Sequence, residues 1–253
     1  DVKTTVLSTL EEIYIGGAAA PESLIRQYDD LGVTVVHAWG MTETSPIGST
    51  ATLKGTLQDA DYETQLDKRG KQGLALPGLE FKVVRDDGER IEWDGEDFGE
   101  LLIRGPWVTT EYHQRPEANE EDFENGWLRT GDIVTVDGDG YIDIVDRADD
   151  VIKSGGEWIS SQELENAMMA HDAVSEAAVI GVPHERYQER PVGFVVRREG
   201  ADVDDDRLTA ELGELLNEKF PSFWEPERYV FIDAVPKTAT GKFSKKDLRE
   251  EYA

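Results

Sequence analysis

The chain has 253 residues, enough for one large domain or two of ordinary size. Its 54 acidic residues outnumber 26 basic ones, a formal charge of -28, against a folded-protein hydrophobic share of 38%. The acids are spread along the whole length, which excludes nucleic acid and anionic membranes as partners and points to a solvated acidic surface adapted to high salt, as in a halophile. The absence of cysteine excludes disulfides and thiolate metal sites, and His37, His113, His171 and His184 show no metal-ligand spacing. No run of 18 apolar residues and no signal-peptide pattern occur, so no stable membrane insertion is expected and the location expected is cytoplasmic. The opening VKTTVLSTLEEIYIGGAAAP after Asp1 reads as the middle of a domain, so the expectation is a piece of a longer protein.

In chain order, PESLIRQYDDL (21–31) predicts a helix, with Pro21 in the first turn and Leu24, Ile25, Tyr28 and Leu31 on one face. Gly32 ends it, and VTVVHAW (33–39) follows as a strand. Residues 50–72 are polar and unpatterned and read as a surface excursion. From 79 to 145 short strands alternate with turns: LEFKVV, GELLIRG, IVTV and YIDIV, with DDG and DGDG between them. After DRADD (146–150) the pattern becomes VIKSGGEWIS, a helix opening at Ser160 with Glu163 in capping-box position, strands VSEAAVIGV and PVGFVVR, a helix near 205–219, strand RYVFIDAV and a last helix from Ser244. The expected architecture is an αβ unit over 1–72 and a β subdomain over 73–148, together the end of a large domain. A small α+β domain over 149–253 follows.

Several loops carry candidate chemistry. GGAAAP (16–21) sets small side chains before a helix, where a flat ligand can approach the backbone. An ordinary strand-to-helix turn has the same composition. WGMTETSP (39–46) follows a strand end, the usual ligand position in an α/β sheet. Trp39 can stack on a base, Thr42 can bond a phosphate oxygen, and Glu43 can hold Mg²⁺, a hard cation that bridges phosphates. A polar loop with a buried tryptophan is the plain alternative. GWLRTGD (126–132) places Asp132 in a turn before a strand, where a carboxylate can accept both ribose hydroxyls or serve the turn alone. DGDGYID (137–143) starts like a calcium loop but has Ile142 in place of the required glycine, so a hairpin is expected. KSGGEWIS (153–160) flanks a glycine pair with Lys153 and Trp158. KTATGKFSK (237–245) puts Lys242 beside a glycine, where an ammonium can neutralise charge at an acyl-phosphate transition state.

Taken in order, the small-residue loop, W-G-M-T-E, R-T-G-D, D-R-A-D-D, K-S-G-G-E-W and P-K-T-A-T-G-K resemble the adenylate-forming superfamily of acyl-CoA synthetases, luciferases and peptide-synthetase adenylation domains. The resemblance spans essentially the whole chain. HAWGMTETSP and DVIKSGGEWISSQELENA look most like the medium- and long-chain fatty acyl-CoA synthetases.

The resemblance implies roles residue by residue. Ala18, Ala19 and Ala20 form an adenine wall, Trp39 takes the stacking position, and Gly40 and Met41 border the acyl pocket. Thr42 touches phosphate, Glu43 binds Mg²⁺, Asp132 holds the ribose, and Arg147 reaches ribose or phosphate. Asp149 is a hinge between domains, Lys153 and Trp158 approach the nucleotide from the small domain, Gly155 and Gly156 line the pantetheine path, and Lys242 drives adenylation. ATP, Mg²⁺, coenzyme A and a small-molecule carboxylic acid are the implied ligands, and a homodimer stays open. The family's Ser/Thr/Gly-rich phosphate loop is absent, so the chain by itself is not expected to run the whole reaction. A carrier-loading adenylation domain and a non-catalytic nucleotide-binding piece are the alternatives.

The charge makes a stability prediction. Screening relieves self-repulsion, so the melting temperature should rise as KCl increases from dilute buffer into the molar range. A flat melting temperature across that range would count against salt adaptation.

Overall fold

The computed structural model describes residues 9–17, 20–237 and 243–252. The chain divides into two compact units, 1–144 and 145–253.

The first unit opens with strand β1 (Glu12–Gly16), helix α1 (Glu22–Asp29) and strand β2 (Thr34–Trp39). The two strands pair in parallel with Gly16 opposite Ala38. Gly16 is required there, since a Cβ would lie 2.7 Å from the Ala38 carbonyl. Helix α1 buries Ile25, whereas Leu31, expected on the same face, stands 37% exposed. Gly32 adopts φ +75 and turns the chain into β2. Short strands β3 (Ser49–Thr50) and β4 (Leu74–Ala75) complete an antiparallel continuation, in the order β1-β2-β3-β4.

The stretch expected to be an unpatterned excursion contains helix α2 (Tyr62–Gly70). Its signal was a cap rather than a periodicity. Asp61 accepts the Thr64 backbone N–H at 2.9 Å and its hydroxyl at 2.7 Å. Only Leu66 gives the helix an apolar anchor, packing with Ile25 and Val35. Arg69 completes the inner face by a bidentate pair with Asp29 at 2.8 and 2.7 Å.

Strands β5 (Glu80–Val84) and β6 (Phe98–Arg104) follow, then helix α3 (Pro116–Asp122), β7 (Phe123–Glu124), β8 (Trp127–Val136) and β9 (Ile142–Arg147). They form a second sheet in the order β5-β6-β8-β7, with β9 on β8. The division between the units falls within β9. Alternating inward residues (Val83; Leu101, Ile103; Leu128, Val134, Val136) make its core.

The second unit carries β10 (Ile152–Ser154), β11 (Glu157–Ile159), α4 (Ser161–Met169), β12 (Val174–His184), β13 (Gln188–Arg197), α5 (Asp205–Lys219), β14 (Arg228–Phe231) and α6 (Lys245–Tyr252). The sheet order is β11-β10-β13-β12, with β14 added parallel to β13. Helices α4 and α5 bury Leu164, Met168, Leu208, Leu212 and Leu216 against Ile152, Val179 and Val195. Ser160 caps α4 by accepting the Glu163 backbone N–H at 3.1 Å, the first half of the expected capping box.

The β8–β9 hairpin yields a pH prediction. Burial would raise Asp137, but hydrogen bonds from the Lys68 and Lys71 ammonium groups and the Tyr141 N–H outweigh it and hold the carboxyl at about 2. The ammonium nitrogens lie 2.5 and 2.9 Å from Oδ2. A depressed carboxyl gives stability that is present above its ordinary value and is lost as pH falls from about 4 to about 2. Asp137→Asn should cost about 1–2 kcal/mol near neutrality, allowing for partial solvent screening of the lysines. Urea titrations at pH 7 and pH 2.5 check this, because the deficit should shrink markedly at the lower pH.

Candidate nucleotide site

Two loops leave the C-terminal ends of the parallel pair β1 and β2. Parallel strands put those ends at one edge of the sheet, where α/β proteins bind ligands. The first loop holds the small-residue run. Ala20 is buried, and Ala18 and Ala19 lie outside the described residues.

The second loop begins at Trp39. Its indole N–H donates to Asp132 Oδ2 at 2.9 Å, a buried contact between residues 93 apart in sequence. The ring packs on the core of the second sheet with Val83, Leu101, Leu128 and Val134. Two glycines make room for the fold of this loop. A Cβ on Gly40 would lie 1.8 Å from the Pro46 carbonyl oxygen, and one on Gly48 would lie 2.3 Å from the Trp39 ring. Thr44, fully buried, ties the loop to itself. It accepts the Met41 N–H at 2.9 Å and its hydroxyl lies 3.0 Å from the Met41 carbonyl and 2.8 Å from that of Pro46.

That internal bracing leaves Thr42 exposed and Glu43 half-buried at the loop's crest. The Glu43 carbonyl accepts the Thr109 N–H at 2.8 Å, and its Oε1 accepts the Tyr112 hydroxyl at 2.9 Å. Burial, and then the Glu43 carboxylate, push the Tyr112 hydroxyl up to about 12, so it stays a donor at any physiological pH. Glu43 Oε2 has no hydrogen-bond partner among the described residues. A hard carboxylate oxygen of this kind suits Mg²⁺. Among the described residues no group of three or more His, Cys, Asp or Glu could cage a metal, so a Mg²⁺ held here would take most ligands from phosphates and water. Met41 packs against the second-sheet core rather than standing alone in the loop.

Asp132 does not sit in a turn before a strand, as the sequence implied. It lies inside the ten-residue strand β8. The pairing of β8 with β6 slips there: Glu100 faces Ile133 and Leu102 faces Arg129. Gly131 at φ +67 absorbs the extra residues as a bulge. Thr130 fills the gap, donating to the Leu101 carbonyl at 2.8 Å and accepting the Asp132 N–H at 3.1 Å. The R-T-G-D motif is thus a device for re-aiming one carboxylate out of a regular strand.

The second unit gathers the other candidates. Arg147 ends β9, and Asp149 is exposed in the turn that follows, where the Asp150 and Val151 N–H groups return to the Arg147 carbonyl, each at 2.9 Å. K-S-G-G-E-W is the β10–β11 hairpin. Gly155 and Gly156 adopt φ +64 and +91, the positive values a two-residue hairpin loop needs. Lys153 and Trp158 are cross-strand partners, with the ammonium 4.8 Å from the ring centroid. Lys242 lies outside the described residues.

Sequence reading missed the supporting cast: Thr44, Gly48, Tyr112 and Thr130 around Trp39 and Glu43, and Tyr187 and Phe223 behind the hairpin. A Cβ on Gly155 would meet both of those rings, at 3.4 and 3.3 Å. Thr44 and Gly48 were visible within or beside a motif already chosen. Tyr112, Tyr187 and Phe223 carried no local signal.

A family model described as AMP-binding enzyme matches residues 1–113, and one described as AMP-binding enzyme C-terminal domain matches 163–242. The chain belongs to the AMP-binding enzyme family. It is 45% identical over 249 residues to a 3-methylmercaptopropionyl-CoA ligase of Ruegeria lacuscaerulensis, covering 98% of this chain and 45% of that protein. It is 42% identical to a long-chain-fatty-acid–CoA ligase of Thermus thermophilus, covering 97% and 45%. A structure of o-succinylbenzoate CoA synthetase from Bacillus subtilis with its acyl-adenylate intermediate superposes with a TM-score of 0.79 at 31% identity, over 94% of this chain and 46% of that one. The chain thus spans about 45% of the length of the relatives it matches.

The packing at Gly48 is testable. Gly48→Ala should destabilise the first unit by about 1–3 kcal/mol, because the methyl must displace the Trp39 ring. Gly55→Ala, where no atom lies within 4 Å, should stay within about 0.5 kcal/mol. Equal midpoints for the two variants in a denaturant titration would refute the wedge.

Proposed function

We propose that the whole protein is an AMP-forming acyl-CoA ligase acting on a medium- or long-chain fatty acid, and that this chain supplies its ribose, metal and hinge residues and the adenylation lysine. The contact between Trp39 and Asp132 carries the reading, since it sets a flat aromatic beside a buried carboxylate at a strand-end ligand position. The relatives bearing CoA-ligase names support it.

In this reading the substrate carboxylate attacks the α-phosphate of ATP, and pyrophosphate leaves. Asp132, held by the Trp39 indole, accepts the ribose hydroxyls, and Trp39 stacks on the base beside the wall formed by Ala18, Ala19 and Ala20. Thr42 bonds phosphate. Glu43 would hold Mg²⁺, which when bound offsets phosphate charge. Gly40 and Met41 border the acyl chain. Lys242 stabilises the charge that develops in adenylation. Arg147 reaches ribose or phosphate. The small domain then turns about Asp149, bringing Lys153 and Trp158 to the nucleotide and Gly155 and Gly156 beside the pantetheine arm, and the CoA thiol displaces AMP.

Two variants of the full-length protein test this together. Lys242→Ala should slow adenylation by roughly 10²–10³-fold and nearly spare thioester formation from supplied acyl-adenylate. Asp149→Pro fixes φ near about -65° in the exposed turn and should do the reverse, keeping adenylation and losing thioester formation by orders of magnitude. Pyrophosphate release and acyl-CoA yield are measured separately. If both variants impair the two steps equally, the reading is wrong.

A further inference from the structure

The β10–β11 hairpin has little sheet to stand on. Its strands are three residues each, and it meets β13 at one register position, Ser154 opposite Gln188. Ile152 and Ile159 anchor its open end in the core. A ribbon this short does not hold its own shape in water, so the Gly155–Gly156 end needs a separate hold.

Arg190 of β13 supplies it. The residue is 6% exposed, and its guanidinium reaches three segments that are distant in sequence. Nη1 donates to the Phe223 carbonyl at 2.7 Å and to Ser154 Oγ at 3.3 Å. Nη2 donates to the Glu225 carbonyl at 3.2 Å, and Nε donates to Glu227 Oε1 at 3.3 Å. Cζ lies 4.4 Å from the centre of the Phe223 ring. That ring, in the short 3₁₀ turn Ser222–Trp224, is one a side chain at Gly155 would strike, at 3.3 Å. Ser154 has zero exposure and passes the hold along β13, donating to the Glu189 carbonyl at 2.6 Å. Glu189 Oε2 in turn accepts the Lys153 N–H at 2.9 Å. Gly181 leaves room for that carboxylate, since a Cβ there would lie 2.8 Å from the same oxygen.

A buried guanidinium is a weak source of stability, and this one has a carboxylate partner, Glu227, that is itself 44% exposed. What the group provides is geometry. A planar fork of donors can bind a hydroxyl and two carbonyls in different segments at once, which an ammonium or an apolar side chain cannot.

We propose that Arg190 is a positioning residue for thioester formation, setting the place of the Gly155–Gly156 loop by holding Ser154 and the Phe223 ring together behind it. The proposal rests on the function read above, in which that loop lies beside the pantetheine arm. Every contact of the clamp lies within the second unit, between Lys153 and Glu227, so the clamp travels with the hairpin and does not span the Asp149 turn. In that reading the hairpin comes to the nucleotide only after adenylation. A displaced loop therefore slows attack by the thiol, which demands close placement, and leaves the first step alone.

The test is a pair of full-length variants assayed for both half-reactions, with melting temperatures as a folding check. Arg190→Met should lower thioester formation from supplied acyl-adenylate by roughly 10–100-fold and leave pyrophosphate release within about threefold of the parent. Arg190→Lys keeps the charge but loses the fork, and should show the same asymmetry at roughly 5–10-fold. If Arg190→Met does not fold, Arg190→Lys carries the test. Hydrogen exchange gives a readout independent of activity. The Gly155 amide, which donates to the Tyr187 carbonyl at 2.8 Å, should exchange about tenfold faster or more in either variant, while the amides shared by β12 and β13 keep their protection. Equal loss in both half-reactions, or unchanged exchange at Gly155, would overturn the inference alone. A parent protein that makes no thioester from supplied acyl-adenylate would overturn the functional reading beneath it, and the inference with it.

Discussion

The first unit depends on where the Trp39 indole is allowed to sit. It ends a parallel strand of one sheet, packs its ring into the core of another, and gives its N–H to a carboxylate on that second sheet. A buried carboxylate without a donor is costly, and a buried indole N–H without an acceptor is nearly so. Each group therefore fixes the other. The remaining features of the loop follow from making room for that contact: glycine at 40 and 48, Thr44 turned inward to satisfy backbone groups, and Thr42 and Glu43 left outward. The bulge at Gly131 serves the same contact from the far side. A regular strand would alternate Thr130 and Asp132 on one face with no slack to adjust either.

A second constraint is the scarcity of cations. With 54 acids and 26 bases, most carboxylates must face solvent unaided. Several bases are concentrated where carboxylates are least exposed. Lys68 and Lys71 converge on Asp137, Arg69 takes Asp29, and Lys245 takes Glu165. Exposed ion pairs contribute little, so spending cations there would gain almost nothing. A carboxylate in the interior cannot rely on water and takes either a cation or, as at Asp132 and Asp146, fixed N–H and O–H donors. The acidic surface and the paired interior are two outcomes of one shortage.

Much of the second unit was legible because its elements are long and strongly patterned. The VSEAAVIGV and PVGFVVR runs, the helix near 205–219 and the Ser160 cap lie where their sequences place them. The first unit was legible where hydrophobic period spoke and obscure where polar groups did the folding. Helix α2 has one apolar anchor and rests on Arg69 and an Asp61 cap, so a reading by hydrophobic period passed over it. Asp132, expected in a turn, lies inside a strand. R-T-G-D has the composition of a turn, and only pairing with β6 turns it into a bulged strand. Tyr112 meets Glu43 across 69 residues, a separation that no window of sequence can span.

The glycine pair of the β10–β11 hairpin shows how a motif can satisfy two demands at once. Both residues need positive φ for a two-residue loop, which glycine meets without strain. Gly155 is also boxed in: its N–H donates to the Tyr187 carbonyl at 2.8 Å, and a side chain would press on the Tyr187 and Phe223 rings. Turn geometry alone would tolerate asparagine or aspartate at such a position. The rings remove that latitude at Gly155 and leave it at Gly156, where a Cβ would meet no atom within 4 Å. The hairpin is thereby held from behind. The cross-strand register that sets Lys153 over Trp158 is fixed by the aromatic wall as much as by the loop. Held this way, the hairpin presents the two side chains as a preformed pair, so a ligand that met them would not have to order them first.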